Sequence, residues 1–473
     1  MLKAKKFVCL ILAGLISVSC IFAQIHSRGA ILDDNLYNSL PKKAVQLSRS
    51  YGDTVLPKAY SLKKYAPQPG DQDPYGTCVG WATAYAARTI SESIALNRVD
   101  KLLTTGNVFS PIFVYKGYYA LININPTGKE GASIPLVLDF MKSEGAVKRL
   151  DFEKTADFPF ILLTMFNNSR RYPIGGYVTL YSSYIGSIGS ITRTDFVKKS
   201  ISEGKPVVIG MNCPDSFSFA KGVWQPKDDP AEYHGGHAMC VVGYDDTKYG
   251  GAFEILNSWG TDWGNDGYIW IPYQVFNQFA YHAYEIIENL AAYRDGAEYS
   301  GNVKIELYNS NKGMPVKFDN GYYKTTGSYV SGTLFRYLLG NDKPAYVYAF
   351  SSDDSSNETT KIFPPPGINV SAVLDYKNNI VPVPGEDIWI QLDQIKGTDY
   401  LIVLFSKEEL DLDAIRSRFS SARGTFPQRV AAAVGTNYIP ANQARYETNE
   451  MKFTAHSENP KAVFGLLLAI DHK

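Results

Sequence analysis

Residues 71–86 read DQDPYGTCVGWATAYA. Gly76 and Thr77 precede Cys78 and a run of small residues follows it, which predicts a loop turning into a helix with the cysteine in its first turn. The start of a helix points unpaired N–H groups and a partial positive charge at whatever sits there. A thiol in that place ionises more readily, and the thiolate is the reactive form. Cys78 is therefore a candidate nucleophile, weighed against the ordinary alternative of a small buried hydrophobe. Such a nucleophile needs a base that takes its proton and later returns it to a leaving group. Of the six histidines, His26 lies near the amino terminus, and His282, His456 and His472 stand in no supporting pattern. His234 and His237 lie in HGGHAMCVVGYDD, and His237 opens an apolar strand-like run behind two glycines that leave room around its ring. As metal ligands the two are a poor set, because an odd offset on a strand turns them to opposite faces. No cysteine or carboxylate completes a site at ligand spacing, so neither metal nor cofactor is expected.

A core of some size must carry these residues. The chain has 473 residues, enough for two or three domains. Lys plus Arg and Asp plus Glu each number 47, so the basic excess of a nucleic-acid groove is missing and no nucleic-acid partner is expected. Aromatics make up 13% of the chain, with 33 tyrosines, which excludes a disordered chain and favours β-rich surfaces. Helices are predicted from Cys78 through about Leu96, from Ser133 to Glu144, and from Thr192 to Glu203. The period then changes to strands over Val207–Asn212, His237–Tyr244, Phe253–Asn257 and Gly267–Pro272. Helices first and strands second predict an α+β domain. Past a boundary near Tyr293–Tyr299 the runs AYVYAF, DIWIQL and YLIVLF predict a β-rich second domain.

Taken together, the chemical stretches resemble the papain-like cysteine peptidase family. NSWGTDWGNDGY at 257–268 fits the family's N-S-W-G-x-x-W-G-x-x-G-Y, and HAMCVVGY at 237–244 fits its H-A-x-x-x-V-G-Y. Gln72 lies six residues before Cys78, the spacing of the family's oxyanion-hole glutamine, and LPKAYSLKKY near residue 56 is similar to its mature amino terminus. The likeness runs from about Leu56 to Glu288. Two departures stand beside the nucleophile: Tyr75 where the family has a disulfide cysteine, and Val79 where it has tryptophan, with Trp81 two residues later. The 159 residues from Cys78 to His237 also exceed the separation of about 130–150 seen in the family, which predicts an inserted loop. The resemblance implies a two-lobed peptidase, a helical lobe beside an antiparallel β lobe, acting on protein or peptide substrates. It implies Cys78 as attacking thiolate, His237 as its imidazolium partner, Asn257 as the residue that orients the imidazole, and Gln72 as oxyanion donor. Trp259 would shield the Asn–His contact from water. EGASI at 130–134 corresponds to the family's glycine pair, whose backbone holds extended substrate. Two rival functions are an inactive peptide-binding relative and another Cys–His hydrolase, such as an amidase acting on cell-wall peptide. The intact residues Cys78, His237, Asn257 and Gln72 count against the first, and asparagine as third member against the second.

The two ends of the chain carry further expectations. MLKAKK followed by FVCLILAGLISVSCIF, with Ala23 before Gln24, predicts a signal peptide over 1–23 and a secreted or periplasmic, cell-envelope location. A lipid anchor at Cys20 is the weaker alternative, since Ser17 stands where such signals usually have leucine. No later run reaches the ~20 apolar residues a spanning helix needs, so no transmembrane helix is expected in the mature chain. Cys78, Cys213 and Cys240 then remain, and the odd count suggests a thiol kept free. Cys213 and Cys240 are either bridged or buried as free thiols. Residues 24–52 are weakly patterned and are expected to be a leader or short pro-segment, with the peptidase domain over 53–293 and the β-rich accessory domain over 294–473. The leader is too short for a pro-domain with its own core. The chain from Gln24 is thus expected to be active, or to need at most a short trim, and 24–293 to fold alone. The accessory region resembles a bacterial domain found beside secreted or envelope catalytic domains, on SGTLFRYLLGNDKPAYVYAFSSDD and GTDYLIVLFSKEELDL. That likeness implies a cell-surface or envelope partner.

Overall fold

The computed structural model describes residues 25–44, 55–153, 167–170, 172–183, 193–289, 296–308, 310, 312–376 and 380–473. The expected signal segment and Cys20 lie outside them. No helix among the described residues is long and apolar enough to cross a membrane.

The first unit opens with the helix that carries Cys78. It begins as α-helix over Cys78–Gly80, widens to π geometry over Trp81–Arg88, and returns to α over Thr89–Ala95. Every residue from Cys78 to Arg88 is buried, which is why this stretch carries four alanines and no single apolar stripe. Thr83 Oγ1 donates to the Val79 carbonyl, so its hydroxyl is satisfied inside the turn. The helices Pro111–Leu121 and Ile134–Ser143 pack around it. A Cβ on Gly80 would meet the Pro111 carbonyl oxygen at 2.2 Å, so only glycine lets the first of these approach.

Against this helical layer stands an antiparallel sheet. Its strand order is Gly176–Thr179, Ala280–Ile287, Val207–Asn212, Gly236–Asp245, Ala252–Leu256 and Tyr268–Pro272, with Ala59–Ser61 paired to the far end of Gly236–Asp245. The central strand is buried from Gly236 to Tyr244, the reason GHAMCVVGY reads as a near-continuous apolar run. The second unit is a sandwich of two sheets that share one apolar core, including Tyr299, Val303, Phe335, Val347, Phe405 and Phe464. Two helices, Leu412–Ser421 and Phe426–Val434, cover the outer face of one sheet. The whole is the expected α+β unit followed by a β-rich unit.

The two units, expected to be separable, share a packed interface. Val178 and Ile287 of the first share an apolar cluster with Tyr346, Tyr348 and Phe350 of the second. Tyr346 donates its hydroxyl to the Gly175 carbonyl at 3.0 Å, and Tyr376 sits in the core of the first unit. A cut near residue 293 would bare Val178 and Ile287 and empty the place of Tyr376, so the packing argues against 24–293 as a self-sufficient unit.

Candidate active site

Cys78 lies at the N-terminal end of its helix as expected, and the strand Gly236–Asp245 brings the His237 segment to it. The backbone of Ala238, next to His237, lies near enough to the sulfur to pull its pKa down. Asn257 follows the strand Ala252–Leu256, and its Oδ1 meets His237 Nε2 at 2.8 Å. The amide orientation is fixed from the other side, because the Ser258 backbone N–H donates to the same Oδ1 at 2.8 Å. With an acceptor on Nε2, that nitrogen carries the proton, which leaves the Nδ1 lone pair free to act as base. Nδ1 is buried with no hydrogen-bond partner among the described residues. Trp259 stacks on the His237 ring at 4.6 Å between centroids, covering the His–Asn contact. Gln72 is buried; its Oε1 accepts from Ser258 Oγ at 2.7 Å and its Nε2 donates to the Tyr75 carbonyl at 2.8 Å. The four residues singled out in the sequence thus converge on one place. Cys213 and Cys240 are free and buried, not bridged to each other.

The cleft is filled by the protein's own leader. Gln72 Nε2 donates to the Ser27 carbonyl at 3.0 Å, and Trp259 Nε1 to the same oxygen at 3.1 Å. His26 stacks on the other face of Trp259 at 4.7 Å and contacts Asp73 at 2.5 Å. Arg28 donates to the Cys213 carbonyl and pairs with Asp215. The backbone of Gly29 comes near enough to the Cys78 sulfur to pull its thiol pKa down. A Cβ on Gly29 would meet the Gly76 carbonyl oxygen at 2.0 Å; only glycine passes there. Ala30–Ile31 then pairs in parallel with Ala132–Ser133, so EGASI does hold an extended segment through its backbone. Among the described residues, Ala30 and Tyr37 are buried in the core of the first unit and Ala44 in that of the second. Tyr37, on the short helix Asp34–Ser39, is fully buried against His282 and Tyr284. Residues 26–31 thus lie across the site, where the expectation was activity from Gln24 or after at most a short trim. Sequence pattern gave no sign of His26, Ser27, Arg28 or Gly29, because their contacts are backbone bonds and single side chains with no period.

Burial under this strap reverses the expected charge state. Desolvation pushes the Cys78 thiol up to about 11, although backbone donors from Ala238 and Gly29 pull the other way. Desolvation also pushes the His237 imidazole down to about 4, despite the hydrogen bond to Asn257. Both directions favour a neutral thiol and a neutral imidazole over a thiolate–imidazolium pair in the closed structure. A pH dependence follows. Between the ordinary histidine value of 6.5 and about 4, the unfolded chain binds a proton at residue 237 that the fold refuses. Stability should therefore fall as pH drops through that window, by roughly 3 kcal/mol at its acid end. Urea midpoints at pH 4–8 check this, and His237→Gln should flatten the acid limb. An acid limb unchanged by that substitution would refute the assignment.

The papain family cysteine protease model matches residues 177–287, a segment that contains His237, Asn257 and Trp259 and begins beyond Cys78. A peptidase C1-like protein of Acanthamoeba polyphaga mimivirus is 34% identical over 87 residues, covering 17% of this chain and 27% of its own length. Cathepsin C of Schistosoma mansoni is 29% identical over 115 residues, 22% of this chain and 24% of its own. The chain thus spans about a quarter of the length of the curated relatives it matches. Among solved structures, xylellain, a cysteine protease from Xylella fastidiosa, is 23% identical with a TM-score of 0.43, over 56% of this chain and 97% of that one. Residues 177–287 are thus similar to the papain family of cysteine proteases.

Proposed function

We propose that this protein is an exported cysteine endopeptidase kept closed by its own leader. Once the cleft is free, His237 Nδ1 takes the Cys78 proton and the sulfur attacks a peptide carbonyl carbon. Gln72 Nε2 and the Cys78 N–H hold the oxyanion. The imidazolium then protonates the leaving amine, which departs and leaves a thioester on Cys78. Water, giving a proton to the same imidazole, cleaves the thioester and restores the thiol. Asn257 keeps the ring in the required tautomer throughout.

One observation carries the reading: the site already holds an extended polypeptide, with the Gln72 amide on one of its carbonyl oxygens. Peptide is thus the substrate class the cleft is shaped for. Export rests on the composition of residues 1–23, and the envelope partner on the likeness of the second unit to domains found beside envelope enzymes. The test is Gly29→Val, whose side chain cannot fit beside Gly76 and so expels the strap. This variant should hydrolyse a mixed peptide library at least about tenfold faster than the parent. A variant whose Cys78 has become freely alkylated but which cuts no peptide bond would mark the protein as a binding relative instead.

A further inference from the structure

The far end of the strap is fixed by a charge cluster that neither unit completes alone. Lys43 is buried, and its ammonium contacts Glu285 of the peptidase sheet and Asp375 of the second unit. Lys205 pairs with Asp375 from the other side and lies 3.6 Å from Glu285. Glu285 Oε2 accepts from Ser200 at 2.7 Å and from Tyr376 at 2.8 Å, and Lys43 Nζ stands 4.0 Å above the Tyr376 ring. The backbone is sandwiched as well. Lys43 N–H donates to the Thr179 carbonyl at 3.0 Å on the peptidase side. On the other side, Lys42 N–H donates to Asn369 at 2.9 Å, Ser371 N–H donates to Lys42 at 2.9 Å, and Asn369 Nδ2 donates to Ser39. Ala44 is already part of the second unit's core.

We propose that the C-terminal unit is the keeper of the strap: through Asp375 and Asn369 it holds residues 39–43 against the peptidase sheet, so that the cleft opens only when that unit lets go. The proposal rests on the reading that residues 26–31 block Cys78. The chemistry favours it because Lys43 cannot leave without uncovering charge. Burial works against the Asp375 carboxylate, yet Lys205 and Lys43 outweigh it and hold the carboxyl below its usual range. Withdrawing Lys43 leaves Glu285 and Asp375, two carboxylates, with Lys205 as the one ammonium contacting both among the described residues. A cut between residues 44 and 55 would therefore not by itself free the cleft, since these contacts need no covalent link.

Alkylation of the full chain by iodoacetamide, read residue by residue by mass spectrometry, tests the idea. It reports access to sulfur, not turnover, so a protein without peptidase activity leaves the result standing. Cys240, deep in the sheet, serves as the folding control. Lys43→Met and Asp375→Asn should each raise the Cys78 rate by about tenfold or more. The double variant should match Lys43→Met, because Asp375 acts on the strap through that lysine. Asn369→Ala, at an exposed position, should raise the rate a few-fold, and it decides the matter where a buried variant also unprotects Cys240. A rise with Lys43→Met while Asp375→Asn and Asn369→Ala stay at the parent rate would overturn the proposal, since the peptidase sheet would then hold the strap alone. Parent Cys78 reacting as fast as in urea would overturn the blocking reading itself.

Discussion

Replacing Cys78 with alanine, in a chain already opened by Gly29→Val, should lower kcat for peptide hydrolysis by about four orders of magnitude or more. The methyl group cannot form the thioester, and what remains is the contribution of Gln72 and of binding. His237→Ala should cost about as much, and the double variant little more than either alone, because the two act as a unit. Asn257→Ala should cost less, on the order of ten- to a hundredfold, and should fall on kcat more than on KM. Its role is to hold a tautomer, which Trp259 stacked on the ring partly preserves. Steady-state kinetics on one short peptide suffices. An alanine variant retaining even a tenth of the parent rate would show that another residue supplies the nucleophile.

Glu285→Ala should destabilise the protein by about 3–5 kcal/mol. The carboxylate is fully buried at the joint, where Lys43, Ser200 and Tyr376 all donate to it. Its loss leaves Lys43 and Lys205 facing Asp375 alone and removes the charged acceptor shared by Ser200 and Tyr376. Glu285→Gln keeps an oxygen for Ser200 and Tyr376 and should lose less. Urea unfolding of the full chain gives both values, and a loss under about 1 kcal/mol for the alanine variant would mean that water enters the joint.

The sequence was informative where chemistry needs several residue types at fixed spacing. Gln72, Cys78, His237 and Asn257 could be named because NSWG, HAM and the glutamine–cysteine interval constrain one another. The helix Ile134–Ser143 and the strand Val207–Asn212 were legible from period alone. The ionisation state was not legible. A helix start favours a thiolate, but burial under residues 26–31 is the larger effect, and burial is a tertiary fact. Nor could the leader's task be read. Tyr37 and Lys43 are ordinary residues in a weakly patterned stretch, and each acquires its meaning from partners more than 200 positions away. The joint between the units was hidden for the same reason: Val178 and Ile287 sit in strands whose other neighbours are their own sheet.

Lys43 and Asp375 are separated by 332 positions. During synthesis the strap is among the first described parts of the chain to leave the ribosome, whereas the carboxylate that completes its anchor comes far later. Ala132 must appear before Gly29 has its strand partner, Ala283 before Tyr37 has its pocket, and Asn369 before Lys42 has its second backbone contact. Closure of this kind pays its loop entropy last and belongs to the slow end of folding. The residues Gln72, Cys78, His237 and Asn257 are all in hand once residue 257 has been made, well before the keeper exists. Cys78 and His237 are therefore in the chain long before Asp375 and Asn369, and the anchor of residues 39–43 is the last part of this arrangement to be completed.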